Sequence, residues 1–185
     1  MSNLTDFFPS GGGGLTPKFE EFNASGTFTP SQALIDAGGY VEVFLVGGGG
    51  GGYDATNIGG QGGEVLIKKT YLTSTTNVSI TIGSGGLNGN GGQSGSSSSF
   101  IGSTAGGDDI ISVGGAGAGG YTSMINASWN GRAASSSGSG VLGYGVCGGS
   151  DAGINGVGTP KINSGQGGPR STAGASCYCL IKWYE

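Results

Sequence analysis

Few residues in this chain could support acid–base or nucleophilic chemistry, and their spacing does not bring them together. The sequence contains no histidine, so a serine nucleophile has no imidazole base and the usual hydrolase triad cannot form. The adjacent carboxylates Asp108 and Asp109 would point to opposite faces of a strand, which favours a turn or an exposed edge over a general acid–base pair. We therefore expect that the protein is not an enzyme.

A run of six glycines at residues 47–52 invites comparison with a phosphate-binding loop. Such loops need a Lys-Ser/Thr pair that closes them, or a helix that begins after a GxGxxG motif. The stretch VGGGGGGYDATNIGG contains no lysine and predicts no helix. We expect no nucleotide and no other cofactor at this position.

The three cysteines, Cys147, Cys177 and Cys179, are an odd number and cannot complete an internal disulfide framework. Cys177 and Cys179 flank Tyr178 in SCYCLIKWYE, which predicts a strand with both thiols on one face. Buried structural thiols are the expectation for these two residues. A metal site would need a further pair of ligands, and the absence of histidine argues against it.

Composition excludes several classes of partner. The formal net charge is −4, only 10 % of the residues are charged, and no basic cluster exists, so nucleic acid is not expected as a ligand. No apolar run approaches the about 20 residues that cross a bilayer. The N-terminal MSNLTDFFPSGGGG lacks the basic start and apolar stretch of a secretory signal. We expect a chain that is made in the cytoplasm and does not insert into membranes.

Strand-like stretches recur at short spacing and predict an all-β fold, a β-sandwich or jelly-roll-like unit. The stretch KFEEF is predicted to be irregular, and SQALIDAGG to be a turn or loop with one helical turn. The last strand is expected to return and complete the first sheet. The predicted strands are a segment around Gly26 to Thr29, YVEVFLV, GGEVLIKKTYL, NVSITIG, SSSSFIG, DDIISVGG and ASCYCLIKWYE.

Glycine makes up 46 of the 185 residues, and each glycine held in regular structure costs roughly 0.5–1 kcal/mol more than alanine. The tracts share the spacings Gly-Gly-x and Gly-x-Gly, which suit an extended threefold helix like polyproline II. Such helices can approach closely and bond to one another through the backbone, at about 0.5–1.5 kcal/mol net per bond. We predict a packed, polyglycine-II-like layer of backbone.

The chain divides into an N-terminal attachment peptide and linker, residues 1–17, and a glycine-rich β domain, residues 18–185. The domain is strand-rich over 18–83, glycine-rich over 84–174, and closes with a strand over 175–185. Leu4, Phe7 and Phe8 in the first segment are candidates for docking into a partner. The alternative is a tail that folds back on its own domain.

Aromatic residues in the glycine-rich half are the candidates for contact with a receptor. Tyr121, Trp129, Arg132 and Tyr144 lie in or near stretches that look like loops, such as GGYTSMINASWNGR. Aromatic side chains displayed on loops often bind sugars or protein surfaces. The alternative for Trp129 is that it caps a small core.

Residues 19–185 contain a characteristic order of stretches: FNASGTFTP and YVEVFLVGGGGGG, then GGEVLIKKTYL and NVSITIGSGG, a long glycine-rich body and the terminal CYCLIKWYE. In this order the chain resembles the glycine-rich domains of bacteriophage tail fibre and tail tip proteins. The resemblance implies a structural protein of the virion that is often a homotrimer. It also implies a glycine-rich tip, as in adhesins that meet a host receptor, with no catalytic residues.

We expect a tail fibre or tail tip subunit of a phage virion, assembled in the host cytoplasm. The resemblance implies other tail or baseplate proteins as partners through the N-terminus, and a host surface glycan or outer-membrane protein as receptor. One alternative is a virion decoration or a head or collar fibre protein without a receptor role. A more distant alternative is a carbohydrate-active enzyme on a β scaffold.

Overall fold

The computed structural model describes residues 14–52, 59–89, 92–102, 104, 109–112, 114, 163–168 and 172–185. One short helix and eight strands lie in these ranges. In chain order they are β1 (Pro17–Phe22), β2 (Gly26–Phe28), α1 (Gln32–Asp36), β3 (Tyr40–Val46), β4 (Val65–Tyr71), β5 (Val78–Thr81), β6 (Ser98–Ile101), β7 (Ile110–Ser112) and β8 (Tyr178–Tyr184).

The strands form two four-stranded antiparallel sheets, with the orders β1-β8-β3-β4 and β2-β5-β6-β7. β8, the last strand of the chain, lies between β1 and β3, where Cys179 pairs with both Phe22 and Leu45. The predicted all-β fold is confirmed, and so is the predicted return of the last strand to the first sheet.

The core lies between the two sheets and follows the alternation of the strands. In β3, Val41, Val43 and Leu45 are fully buried, while the residues between them are only partly buried. The second sheet contributes Phe28 and Phe100 to the same cluster. Since strand side chains alternate between faces, one face of each sheet supplies this core.

The short helix α1 begins and ends with local hydrogen bonds. The Ser31 hydroxyl accepts a bond from the Leu34 N–H at 3.0 Å, as an N-cap residue does. After the helix, Gly39 has φ +70°, and a Cβ there would lie 2.0 Å from the Leu72 carbonyl oxygen. The predicted single helical turn is therefore a five-residue helix that anchors Leu34 in the core.

The prediction that KFEEF is irregular was wrong. Pro17–Phe22 forms the edge strand β1 and pairs with β8 along all six residues. Five of these residues remain exposed or half-buried, and Phe22 alone is buried. An edge strand with one buried residue lacks the alternation of apolar and polar positions by which strands are predicted.

The sandwich has two ends, which differ in what continues from them. Glycine-rich segments continue from Val46, and Val65 pairs with it. We call this the glycine end. At the opposite end lie Pro17, paired with Tyr184, and Tyr40, paired with Tyr71.

The opposite end carries a polar cluster around Glu185. Its carboxylate accepts bonds from the Ser31 hydroxyl and the Trp183 indole, and lies 3.8 Å from the Lys18 ammonium. The Ser31 bond, then the Trp183 bond and the nearby Lys18 charge lower the pKa of Glu185. Because Lys18 is near the start of β1 and Glu185 follows β8, the chain enters β1 and leaves β8 at this end.

Within the described residues, no helix is long and apolar enough to span a membrane.

Candidate functional site: a bundle of glycine-rich segments

The six glycines of residues 47–52 lie at the centre of a bundle of extended segments. Their N–H groups donate to three different segments in turn, so that every third residue bonds to the same neighbour. The bonds run from Gly47 and Gly50 to the carbonyls of Glu64 and Gln61 (2.9 and 2.8 Å), from Gly48 and Gly51 to Ser96 and Gln93 (3.0 and 2.8 Å), and from Gly49 and Gly52 to Ala175 and Thr172 (3.0 and 2.9 Å). A period of three residues is that of the polyproline II helix.

Two further segments donate to the carbonyls of the centre. The Gly86 N–H bonds to the Gly49 oxygen and the Gly168 N–H to the Gly50 oxygen, both at 2.8 Å. Five segments therefore contact the central one: residues 60–64, 83–87, 93–96, 165–168 and 172–176. Together with residues 47–52 they are called the glycine bundle below.

The outer segments also bond to one another. Each of these bonds runs to the next segment around the centre. Hydrogen bonds therefore join the outer segments both to the central segment and to their neighbours. The bonds are Gly60 to Gly168 (2.8 Å), Gly63 to Gly165 (2.7 Å), Ala175 to Gln166 (2.8 Å), Gly174 to Gly86 (2.9 Å) and Ser96 to Ser84 (2.9 Å). The prediction that glycine tracts would pack and bond through their backbones is confirmed for these segments.

Close approach explains why the inner positions are glycine. A Cβ added at Gly49 would lie 1.9 Å from the Gln166 carbonyl oxygen, and one at Gly60 would lie 2.0 Å from the Gly50 oxygen. Both distances are far inside van der Waals contact, so the neighbouring backbone would have to move. The N–H groups that a bound phosphate would need already donate to carbonyls of the protein.

The bundle joins the sandwich through the buried side chain of Ser98, the first residue of β6. Its hydroxyl donates to the Val46 carbonyl oxygen at 2.8 Å and accepts from the Gly83 N–H at 3.2 Å. One side chain thus connects the end of β3 to the segment after β5. The sequence contains many serines, and nothing in the pattern singled out this one.

Of the two predicted structural thiols, Cys177 lies at the same junction, where its N–H donates to the Gly83 carbonyl at 3.1 Å, and Cys179 lies in the adjoining core. Cys177 and Cys179 are free and fully buried, which confirms the expected burial. Burial raises the pKa of Cys177 to about 11 and that of Cys179 to about 12, the latter with a contribution from the Glu20 charge. At neutral pH both remain protonated and are poor nucleophiles. Cys147 lies outside the described residues.

Three connections begin and end at the tip of the bundle, away from the sandwich. Residues 53–58, 90–91 and 169–171 lie outside the described ranges, but the residues that flank them are bonded together. Gly52 donates to Thr172 at 2.9 Å, Gly60 to Gly168 at 2.8 Å, and Gln93 to Leu87 at 2.8 Å. The starting points of the three connections therefore have fixed positions relative to one another.

The residues that the sequence singled out for recognition and docking fall outside the described part of the chain. These are Tyr121, Trp129, Arg132 and Tyr144, and the N-terminal Leu4, Phe7 and Phe8. Gly114, just before the stretch with the first four, packs on the bundle, since a Cβ there would lie 2.0 Å from the Gly95 oxygen. The described residues contain no cluster of His, Cys, Asp or Glu that could hold a metal ion.

Comparison with known proteins identifies a family for the chain. Searches of curated proteins and of solved structures find no match to the chain. A family model described as a glycine-rich domain matches residues 22–179, which include β2 to β7, the start of β8 and the whole glycine bundle. The chain belongs to this glycine-rich domain family.

Proposed function

We propose that this protein is a structural subunit of a bacteriophage virion, a tail fibre or tail tip protein that takes part in recognition of a host receptor. The observation that carries the proposal is the bundle tip, where three connections start from backbone held by hydrogen bonds. Binding residues are often displayed on loops whose ends a scaffold holds in place. The resemblance of the sequence pattern to phage tail proteins supplies the class of protein.

The two chain regions with candidate residues adjoin opposite ends of the sandwich, which supports one end for attachment and the other for recognition. Leu4, Phe7 and Phe8 precede β1, and the chain enters β1 at the end of the sandwich opposite the glycine bundle: Pro17 pairs with Tyr184 there, and the Thr16 N–H donates to the Glu185 oxygen at 2.7 Å. An N-terminal peptide that docks into the virion would thus leave from one end, while the bundle tip points away from it.

The described residues before and after the stretch with Tyr121, Trp129, Arg132 and Tyr144 lie beside the bundle. The stretch follows Gly114, which packs on Gly95. It precedes Asn163, whose side chain bonds to Asn23 at 2.8 Å and to the Ser176 hydroxyl at 2.7 Å. We propose that these four residues contribute to contact with a host surface glycan or an outer-membrane protein. The subunit would act as a homotrimer in the virion.

Competition for adsorption tests the receptor role. Host cells treated with the purified protein should adsorb fewer phage particles, because the protein occupies the receptor. Replacement of residues 53–58 and 169–171 by glycine and serine should weaken this competition. Replacement of residues 74–76 in the exposed turn after β4, at the opposite end of the sandwich, is the matched control and should leave it unchanged.

Particle composition separates the proposal from its alternative. Antibodies to the protein should label the tail tips or fibres of purified particles in electron micrographs. Labelling of the capsid or collar, with no competition for adsorption, would support a decoration protein. A chain missing from purified particles would contradict both.

A further inference from the structure

We propose that copies of this chain associate edge to edge, with β1 of one copy beside β4 of the next, so that the first sheet continues from copy to copy. β1 and β4 are the two outer strands of that sheet. Within the described residues each pairs with a strand on one side only. An outer strand presents N–H and C=O groups that can pair with another chain. The proposal does not depend on the proposed function.

The two edges carry opposite charges. β1 has the adjacent carboxylates Glu20 and Glu21, and its Lys18 lies 3.8 Å from the Glu185 carboxylate. β4 has the adjacent ammonium groups of Lys68 and Lys69, of which Lys69 lies 3.7 Å from the Glu42 carboxylate of its own sheet. Two β1 edges, or two β4 edges, would repel each other, whereas β1 and β4 attract. If these charges served only to prevent edge pairing, the same sign on both edges would do so equally well. The opposite signs therefore favour pairing of β1 with β4.

The heights of the strands select a register. Pro17 pairs with Tyr184, and Tyr40 pairs with Tyr71, so these residues share one level of the sheet. Placing Pro17 of the next copy opposite Tyr71 keeps the two copies at the same height. In this register all six residues of β1 pair with residues 66–71, and no part of β1 is left over.

This register brings complementary side chains together on the core side of the sheet. Glu20 pairs with the buried Ile181 and Lys68 with the buried Val43, so both charged side chains lie on that face. Across the junction Glu20 would stand opposite Lys68. An opposite-charge pair directly across two antiparallel strands is stabilising.

The outer face of the junction would cover apolar surface. Phe19 is 69 % exposed on β1, while Ile67 and Tyr71 on β4 are 50 % and 52 % exposed. Phe19 would lie diagonally between Ile67 and Tyr71 of the neighbouring copy, within reach of aromatic side chains. Three of the most exposed large apolar residues of the sheet would then contact one another.

The contact joins different surfaces of the two copies. Neighbouring strands in the sheet are antiparallel throughout, and the β4–β1 junction continues this alternation. Every copy therefore points its glycine bundle in the same direction. A head-to-tail contact without a change in height closes into a ring if the rotation per copy allows it.

Sedimentation of the full chain over a range of concentrations tests the contact. The unaltered chain should form a discrete oligomer. Glu20→Lys and Lys68→Glu should each raise the dissociation constant about tenfold, because an opposite-charge pair becomes a like-charge pair. The double variant Glu20→Lys with Lys68→Glu restores an opposite-charge pair at every junction and should restore the oligomer.

Asp36→Lys, on the exposed surface of α1, makes the same change of charge as Glu20→Lys outside β1 and β4 and should not alter sedimentation. Circular dichroism and thermal unfolding identify a variant that does not fold. The proposal is overturned by an unaltered chain that stays monomeric at all concentrations. It is also overturned if folded single variants associate normally, or if the folded double variant remains dissociated.

Discussion

The sandwich core and the glycine bundle are both closely packed, but with different parts of the chain. In the core, side chains such as Phe28 and Phe100 are excluded from water between two sheets. In the bundle, backbone atoms take that place, and a Cβ at Gly49 has no room beside the Gln166 oxygen. The core is held mainly by burial of apolar surface, whereas the bundle is held by peptide hydrogen bonds between segments.

This difference determines which changes each region tolerates. A core position can lose atoms and leave a cavity, and the cost grows with the atoms removed. A glycine of the bundle has no side chain to lose, so the damaging change there is the addition of a single methyl group. The following predictions separate the two kinds of packing by substitutions that act in opposite directions.

The largest effect is expected in the core. Phe100→Ala should lower the free energy of unfolding by about 3–5 kcal/mol, because it removes a fully buried aromatic side chain. Ile101→Ala, at the next residue of β6, is the matched control, since Ile101 is exposed and should cost below about 1 kcal/mol. Urea denaturation followed by tryptophan fluorescence measures both. Equal losses of stability in the two variants would mean that the face of β6 on which a side chain lies does not determine its contribution to the core.

The second effect is expected at the centre of the bundle. Gly49→Ala should lower the free energy of unfolding by about 1–3 kcal/mol, the usual cost of forcing extra atoms into a packed interior. Gly14→Ala introduces the same methyl group where no atom lies within 4 Å, and should have little effect. Urea denaturation distinguishes the two variants. If Gly49→Ala were as stable as the unaltered chain, the bundle would have to be loosely packed.

The sequence predicted the core more completely than the bundle, for a physical reason. Strands such as β3 can be predicted because buried and less buried side chains alternate along them. β1 was missed because Phe22 is its one buried residue. The glycine spacings correctly predicted that the tracts would pack and hydrogen-bond through their backbones. They did not predict that Gly47 bonds to Glu64 and Gly49 to Ala175, because glycine has no side chain to specify its partner.

The same limit applies to the candidate site. Tyr121 and Trp129 stood out as aromatic residues in a glycine-rich stretch, and their role in recognition stays a prediction. The starting points of the three tip connections were not visible in the sequence, since they depend on which segments bond across the bundle. Ser98 was missed because its role depends on Val46 and Gly83, which lie far from it in the chain.

A smaller effect is expected where the two regions meet. Ser98→Ala should lower the free energy of unfolding by about 1–2 kcal/mol, because the Gly83 N–H loses its partner and remains buried. Ser79→Ala, on the exposed face of β5, removes a hydroxyl without this consequence. Thermal unfolding of both variants gives the comparison. If the two variants lost the same stability, Ser98 could not be the joint between bundle and sandwich.

Up to about pH 9 the smallest effect comes from the thiols of Cys177 and Cys179, and it depends on pH. Folding raises the pKa of Cys177 from 9.0 to about 11 and that of Cys179 from 9.0 to about 12, mainly through burial. Above the unfolded pKa the unfolded chain releases protons that the folded chain keeps, so stability falls as the pH rises from about 9 through the folded pKa values. The fall should stay below about 1 kcal/mol between about pH 8 and pH 9 and then become steeper.

The double variant Cys177→Ala with Cys179→Ala should lose this part of the pH dependence, whatever its stability at neutral pH. Urea denaturation of both proteins across this pH range measures the difference in slope, and parallel curves would mean that water reaches the thiols in the folded chain.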